Sequence, residues 1–268
     1  MKPPRAPDWL VYLAVVAGLL VLAIGIPWRK PTPERTAGQP LAPASLFDPA
    51  IWVSVPPPGP GAGTAFSVAD GGVWLTARHV VEGCARTVIV TAPGHGVAAR
   101  VLLAPGRETA ILFTHGGAPA LPIAPPEVLR RGQMGYEPGF PGARPGEAAS
   151  ELRRRANLVV GWRGLRAQPV LMFIETSRWP QVRGSLAGLS GAPVLDAHGR
   201  VLGVTVAENP RRRRLYATTP ASLHAALARA RLADQAVAGE AVTPQTWRAV
   251  SDALRERLSV AEVECLAR

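Results

Sequence analysis

The sequence of 268 residues contains few cysteines, few lysines and few aromatic residues. Two cysteines are too few for a fold built on several disulfides, and an apolar content of 47% excludes an intrinsically disordered chain. Aromatic residues make up 6% of the chain and do not alternate with the arginine runs, so the sequence gives no sign of base stacking with a nucleic acid. Lys2 and Lys30 are the only lysines, and arginine therefore carries almost all of the positive charge.

The formal charge of +11 nevertheless leaves nucleic-acid binding open as an alternative. Arg211–Arg214 follow Pro210 and resemble the tip of a hairpin, and Arg153–Arg155 lie beside an apolar strand. No nucleic-acid-binding motif accompanies either run. An Ala, Arg, Pro, Gly and Val bias of the coding sequence explains the charge equally well, so we expect no specific nucleic-acid partner.

The N-terminal region contains an uncharged apolar run at residues 10–26, with Trp9 and Trp28 near its ends. About 17–25 apolar residues span a bilayer, and aromatic rings favour its interfaces. A cleaved signal peptide is the alternative, but the run is long and no small-x-small site follows it. Three segments are therefore predicted: a cytoplasmic N terminus (1–8), a transmembrane anchor (9–28) and a linker rich in Pro, Ala and Thr (29–48).

From Ile51 the pattern changes to many short apolar runs separated by turn residues, which indicates an all-β domain over residues 49–218, either a sandwich or a pair of barrels. A C-terminal helical segment is predicted for residues 219–268 because Thr219-Pro220 and Thr243-Pro244 resemble helix starts. A capping box at 259–262 predicts one further short helical turn.

Three short motifs follow one another in this β-rich chain. His79 follows an apolar strand in LTARHVV, Glu108 enters another strand in RETAIL, and Ser190 lies between two glycines in GLSGAP. A serine hydroxyl becomes a strong nucleophile only beside a base, and a histidine base needs a carboxylate to orient it. Each motif is weak alone, but the order His, acid, Ser at strand edges is a combined signal for nucleophilic catalysis.

At these residues the sequence resembles the chymotrypsin-like (trypsin-fold) serine proteases, in particular the bacterial branch of the high-temperature-requirement proteases, here without a PDZ domain. The matching stretches are GTAFSV (63–68), LTARHVV (75–81), ETAIL (108–112) and GLSGAPVLDAHGRVLGV (188–204). The resemblance implies two six-stranded antiparallel β-barrels with the catalytic residues in the cleft between them.

The resemblance also implies the roles of individual residues. Ser190 would be the nucleophile, His79 the general base and Glu108 the orienting acid, at a position where the family usually has aspartate. The backbone amides of Gly188 and Ser190 would form the oxyanion hole. The stretch 139–142 resembles a glycine-proline loop of bacterial members and is expected to shape the wall of the cleft.

Two further positions depart from the digestive enzymes of the family. Leu189 replaces an aspartate used in zymogen activation, so no switch of that kind is expected. Gly184 lies six residues before Ser190, at the base of the primary specificity pocket in the trypsin branch. Since no carboxylate is present there, we expect cleavage after small or apolar residues rather than after arginine or lysine.

The two cysteines, Cys84 and Cys265, are either disulfide-bonded or two free buried thiols. We expect a membrane-anchored serine endopeptidase of the bacterial inner membrane, with its catalytic domain in the periplasm and protein or peptide substrates. Neither a cofactor nor a metal is expected. The alternative is a catalytically inactive protein of the same fold that acts as a membrane-tethered binding module.

Overall fold

The computed structural model describes residues 9, 38–53, 59–103, 106–126, 129–160, 167–181, 184–232 and 238–267. Within these ranges the chain forms thirteen β-strands, three α-helices and one 3-10 turn. Residues 37–268 form one compact unit. The strands of this unit close into two antiparallel barrels, which confirms the predicted pair of β-barrels.

Barrel 1 is a closed six-stranded barrel with the order β13-β2-β3-β6-β5-β4. Its strands are β2 (Gly61–Ala69), β3 (Val73–Ala77), β4 (Arg86–Ala92), β5 (His95–Leu103), β6 (Thr109–Phe113) and β13 (Val260–Leu266). The turn between β2 and β3 contains Gly72 at a φ of +84°, a conformation that glycine adopts without steric cost. The stretch Asp70-Gly71-Gly72 between two apolar runs is typical of such a hairpin turn.

Barrel 2 contains six antiparallel strands, and a seventh strand is added in parallel at one edge. The six are β7 (Met134–Gly139), β8 (Gly146–Val160), β9 (Gln168–Trp179), β10 (Pro193–Leu195), β11 (Val201–Asn209) and β12 (Arg214–Ala217). The ring closes because β8 pairs with both β7 and β9. The added strand, β1 (Ala50–Val53), pairs in parallel with the end of β8.

The last strand corrects one prediction. A helical turn was expected at 259–262, but residues 260–266 form β13, which pairs with β2 and with β4 and so closes barrel 1. The physical reason is a period of two: Ala261, Val263 and Cys265 are buried, whereas Glu262 and Glu264 are partly exposed. The predicted boundary at residue 218 therefore separates barrel 1 from its own sixth strand.

Three helices accompany the barrels. A single helical turn, α1 (Arg78–Val81), follows β3 directly. Helix α2 (Pro220–Arg229) begins as predicted, with the Thr219 side chain accepting a hydrogen bond from the Ser222 amide. Helix α3 (Trp247–Glu256) begins three residues after the predicted Pro244, because Thr243 and Thr246 first form a separate turn.

The segment before β1 lies on the surface of barrel 2. The amides of Gly38 and Leu41 donate, each at 2.7 Å, to the carbonyls of Arg131 and Leu129 in the segment just before β7. The Asn157 side chain donates to three carbonyls of the turn at residues 45–48. The structure thus attaches the predicted linker to the barrel from residue 38 onward.

The predicted transmembrane anchor at residues 9–28 lies, apart from Trp9, outside the described residues. Among the residues that the structure does describe, no helix is both long enough and apolar enough to cross a membrane.

Candidate active site

His79 and Glu108 meet at one end of barrel 1. Strands β3 and β6 pair with Ala77 opposite Thr109, which brings the start of α1 beside the residue before β6. The Arg78 amide donates to the Glu108 carbonyl at 2.8 Å, and His79 Nδ1 lies 3.3 Å from Glu108 Oε2. Both side chains are largely buried, with 12% and 5% exposure. A carboxylate at Nδ1 favours the tautomer whose Nε2 can accept a proton.

Glu108 is also connected to barrel 2. Its backbone amide donates to Gln168 Oε1 at 2.7 Å, and Gln168 opens β9. The bond fixes the backbone from which the longer glutamate side chain reaches His79. Sequence reasoning missed Gln168, since a single glutamine before an apolar strand carries no recognisable signal.

The segment around Ser190 packs against barrel 1. The Ser190 carbonyl accepts a hydrogen bond from the Thr64 amide on β2 at 2.9 Å. A Cβ atom on Gly63 would lie 2.9 Å from the Ser190 carbonyl oxygen and 2.6 Å from Val80 Cγ1, so glycine is required at this contact. Because Val80 follows His79 directly, the structure brings the serine segment, β2 and the turn that carries His79 to one place between the barrels.

The amides of Gly188 and Ser190 point away from carbonyls that are themselves hydrogen-bonded. The Ala187 carbonyl accepts from the Gly142 amide at 2.6 Å, and the Leu189 carbonyl accepts from the Ala192 amide at 2.9 Å. In a planar trans peptide the N–H points opposite to the C=O, so these two bonds fix the directions of both amides. Neither amide donates to an acceptor in the described part of the chain. Two fixed and unused donors suit an incoming oxyanion.

The glycines of the GLSGAP motif are required by both conformation and space. Gly188 and Gly191 have φ values of +97° and +93°. A Cβ at Gly188 would lie 2.4 Å from the Phe140 carbonyl oxygen, and one at Gly191 would lie 1.9 Å from the Thr64 carbonyl oxygen. Any larger residue would displace the loop, because the nearest atoms belong to the backbone.

Leu189, the departure from the digestive enzymes, has a structural role. Its side chain is 1% exposed and lies in an apolar cluster of barrel 2 with Phe173, Val194 and Leu202. Burial of this side chain anchors the serine loop to the core of barrel 2.

Gly184, the predicted base of the specificity pocket, has a φ of +91° and open space where a Cβ would be. Its carbonyl accepts a hydrogen bond from Arg178 Nη1 at 2.9 Å. The next two residues are held by Glu208, whose carboxylate accepts from the Ser185 hydroxyl and from the Leu186 amide. Sequence reasoning missed this carboxylate, which β11 brings to the loop from 23 positions further along the chain.

Cys84 and Cys265 are bonded to each other, with their Cα atoms 5.2 Å apart. Cys84 follows α1, and Cys265 lies on β13. The bond ties the strand that closes barrel 1 to the loop behind His79. Within the described residues, no group of three His, Cys, Asp or Glu side chains is arranged to hold a metal ion.

Comparisons with known proteins agree with this fold. A family model described as a trypsin-like peptidase domain matches residues 63–204. The structure is similar to the active form of the Rv3671c protease from M. tuberculosis, with a TM-score of 0.53 and 20% identity over 76% of this chain and 99% of that chain.

Two further structures are similar. An inactive form of the Rv3671c protease shares 25% identity with a TM-score of 0.52, over 62% of this chain and 82% of that chain. The HtrA-type protease AlgW, solved with a decapeptide, shares 17% identity with a TM-score of 0.50, over 62% of this chain and 51% of that chain. The likenesses at 17% and 20% identity support the fold alone. No curated protein matches the chain.

Proposed function

The chain belongs to the trypsin-like peptidases, since the family model matches more than half of its residues, and on that premise we propose that it is a membrane-anchored serine endopeptidase. The observation that carries the proposal is the pairing of His79 Nδ1 with the buried Glu108 carboxylate at 3.3 Å, beside a serine loop with two fixed and unused amides. A merely structural histidine would not need this combination.

In the proposed reaction, Ser190 Oγ attacks the carbonyl carbon of the scissile peptide bond while His79 accepts the hydroxyl proton. The carbonyl oxygen gains a negative charge, and the amides of Gly188 and Ser190 donate to it. The C–N bond then breaks, His79 returns its proton to the leaving amine, and an acyl-enzyme remains on Ser190. A water molecule, deprotonated by His79, hydrolyses this ester and regenerates the serine.

Glu108 holds the histidine in place through both half-reactions. Its carboxylate orients Nδ1–H and stabilises the imidazolium that forms when His79 accepts the proton. The backbone bonds of Glu108 to Arg78 and Gln168 support a fixed position for the longer side chain. We propose that these contacts let glutamate serve where the family usually has aspartate.

We further propose that residues 9–28 anchor the protein in a bacterial inner membrane and that the peptidase domain is periplasmic. The uncharged run at 10–26 supports the anchor. The bonded pair Cys84 and Cys265 supports the location, because disulfides persist in oxidising compartments and are rare in the cytosol.

The preferred cleavage site is proposed to follow a small or apolar residue. The space at Gly184 is open, and the Glu208 carboxylate beside it already accepts hydrogen bonds from Ser185 and Leu186. A carboxylate engaged in this way has less capacity to bind a substrate arginine or lysine. No acidic side chain at position 184 itself is available for that purpose.

The proposal is tested by labelling the full-length protein with a fluorophosphonate probe, which reacts with activated serines. We expect the wild type to be labelled and the Ser190→Ala and His79→Ala variants to remain unlabelled. The Glu108→Gln variant should react roughly 10,000-fold more slowly, because the neutral amide no longer holds the correct tautomer.

Ser185→Ala is the matched control, since Ser185 lies in the same loop but its hydroxyl bonds to Glu208. It should be labelled like the wild type. A folded wild type that takes up no probe would contradict the proposal and favour the inactive, membrane-tethered binding module.

A further inference from the structure

The hydroxyl of Thr64 lies between the serine loop, which carries the candidate oxyanion hole, and the loop at residues 139–142. Thr64 is fully buried on β2 of barrel 1. Its Oγ1 donates a hydrogen bond to the Gly188 carbonyl at 2.8 Å and accepts one from the Phe140 amide at 3.0 Å. A threonine hydroxyl has one proton to donate and lone pairs to accept, so both bonds can form at once. One side chain of barrel 1 therefore connects two loops of barrel 2.

The backbone of Thr64 holds the hydroxyl in position. Its amide donates to the Ser190 carbonyl at 2.9 Å, and its carbonyl accepts from Thr76 Oγ1 at 2.6 Å. Gly191 lies so close to that carbonyl that an added Cβ would be 1.9 Å from its oxygen. Thr64 thus has a hydrogen bond at its amide, its carbonyl and its hydroxyl, and it is packed tightly against the serine loop.

The two hydroxyl bonds hold the segments on either side of the peptide group that carries the Gly188 amide. On one side, the bond to the Gly188 carbonyl fixes the ψ angle of a glycine that has no side chain to restrict it. On the other side, the bond from Phe140 positions the loop in which Gly142 follows two residues later. The Gly142 amide in turn holds the Ala187 carbonyl at 2.6 Å.

We propose that Thr64 is a positioning residue that keeps the Gly188 amide directed at the developing oxyanion. The inference rests on the proposed function, because it gives Thr64 a part in stabilising the tetrahedral intermediate. Thr64 touches neither the substrate nor the reacting atoms; it acts through Gly188 and Phe140. Loss of the hydroxyl leaves the Gly142 amide as the remaining restraint on the peptide between Ala187 and Gly188. The peptide can then rotate in part of the population, which removes one of the two oxyanion donors there.

The test uses the full-length Thr64→Val variant, which keeps the shape of the side chain and removes both hydroxyl bonds. The rate constant for reaction with a fluorophosphonate probe should fall about 10- to 100-fold, less than the loss of a whole oxyanion donor. Affinity for phenylboronic acid should fall by a similar factor, since its serine adduct places an oxygen in the oxyanion hole. The shape of the pH profile of labelling should not change, because the hydroxyl bonds of Thr64 go to Gly188 and Phe140.

Two variants serve as controls. Thr64→Ser keeps the hydroxyl and should restore the labelling rate to within about threefold of the wild type. Ser67→Ala removes a buried hydroxyl three residues along the same strand, which donates to the Ala118 carbonyl at 2.8 Å. In urea unfolding, Ser67→Ala should lose about as much stability as Thr64→Val. It should nevertheless keep the labelling rate and the boronate affinity of the wild type.

The possible outcomes separate the inference from the proposed function. If the wild type does not react with the probe, the proposed function fails and this inference fails with it. If the wild type reacts and Thr64→Val reacts at the same rate, the inference alone is overturned and Thr64 is only a structural residue. Should Thr64→Val not fold, Thr64→Ala is compared with Thr64→Ser at a temperature where both are folded, and equal rates would again overturn the inference.

Discussion

Barrel 1 and barrel 2 share their number of strands, but their interiors differ in charge. Among the described residues, the buried polar side chains on the strands of barrel 1 are threonine and serine hydroxyls, and Glu108 at the active site is its buried acid. Barrel 2 buries four acids: Glu137, Glu147, Glu175 and Asp196. The two barrels are therefore stabilised differently. Barrel 1 has a largely apolar interior and a disulfide on its closing strand, whereas barrel 2 buries acidic side chains, several of them paired with arginines.

The difference in buried charge matches the different parts that the two barrels play in the proposed mechanism. Barrel 1 supplies the base and its carboxylate, and a second buried charge near His79 would compete with Glu108 for control of the imidazole. Barrel 2 supplies Ser190 and the backbone donors. Its buried acids pair with arginines: Glu147 pairs with Arg255 of α3, and Glu175 pairs with Arg178 near the end of β9.

The largest effect on stability is expected from breaking the buried ion pair of barrel 2. Glu147 and Arg255 lie 2.7 Å apart with side chains 1% and 8% exposed, and burial raises the pKa of Glu147 more than Arg255 lowers it. Replacing Arg255 by methionine leaves a buried carboxylate with Arg248, 4.0 Å away, as its remaining cation. We expect Arg255→Met to lower the free energy of unfolding by about 3–5 kcal/mol in urea titrations at pH 7.

The double variant Glu147→Gln/Arg255→Met provides the control, because it removes both charges. It should recover much of the stability lost in the single variant. A single variant within about 1 kcal/mol of the wild type would show that the pair contributes little. The stability of barrel 2 would then not depend on its buried ion pair.

The next effect concerns the disulfide of barrel 1. Cys84 and Cys265 are 181 positions apart, so their bond restricts a long loop of the unfolded chain. Replacing both by serine should lower the free energy of unfolding by about 2–5 kcal/mol. Wild type and variant are compared by urea unfolding with and without dithiothreitol, which should destabilise only the wild type. Equal sensitivity of both proteins to the reductant would contradict this account.

The smallest effect, and the most dependent on pH, is expected at Glu137. Burial raises its pKa to about 8, from an ordinary value of 4.5, and the carboxyl accepts a hydrogen bond from the Ser150 hydroxyl. Between these two pH values the folded protein holds a proton that the unfolded chain has lost. The stability from this group is therefore complete below pH 4.5 and decreases as the pH rises towards 8, by up to about 1.4 kcal/mol per pH unit.

Glu137→Gln tests this because glutamine resembles the protonated carboxyl and does not titrate. Near pH 5 the variant should be close to the wild type in stability. From pH 6 to pH 8 the free energy of unfolding of the wild type should fall by about 2 kcal/mol relative to that of the variant in urea unfolding. A difference between the two proteins that stays constant with pH would show that Glu137 is not the titrating group.

Local sequence patterns predicted most of barrel 1 and part of barrel 2. The hairpin of β2 and β3 was readable because Asp-Gly-Gly separates two apolar runs. Strand β7 and the first half of β8 were not predicted. Their buried positions include glutamates and alanines as well as large apolar residues, so the hydrophobic pattern is weak. Strand β13 was mistaken for a helical turn because a capping box precedes its alternating residues.

Within the candidate site, too, some residues could be predicted from local sequence patterns and others could not. His79, Glu108 and Ser190 could be picked out because each lies in a short motif with a chemical requirement of its own. Thr64, Gln168 and Glu208 could not, since their partners are 124, 60 and 22 positions away in the chain and they resemble ordinary strand residues. Only the pairing of strands and the contact between barrels brings these side chains to the loops they hold.

The sequence by itself determined the β-barrel fold, the residue types proposed for nucleophilic catalysis and their order along the chain. Composition, turn residues and short motifs are local properties, and one chain is enough to read them. The tertiary structure decided how the candidate site is held: the Gly188 amide is directed by a bond from the loop of Gly142, Leu189 is anchored by burial, and the final strand closes the barrel of His79. These features depend on contacts between distant segments, whose geometry exists only once the chain has folded.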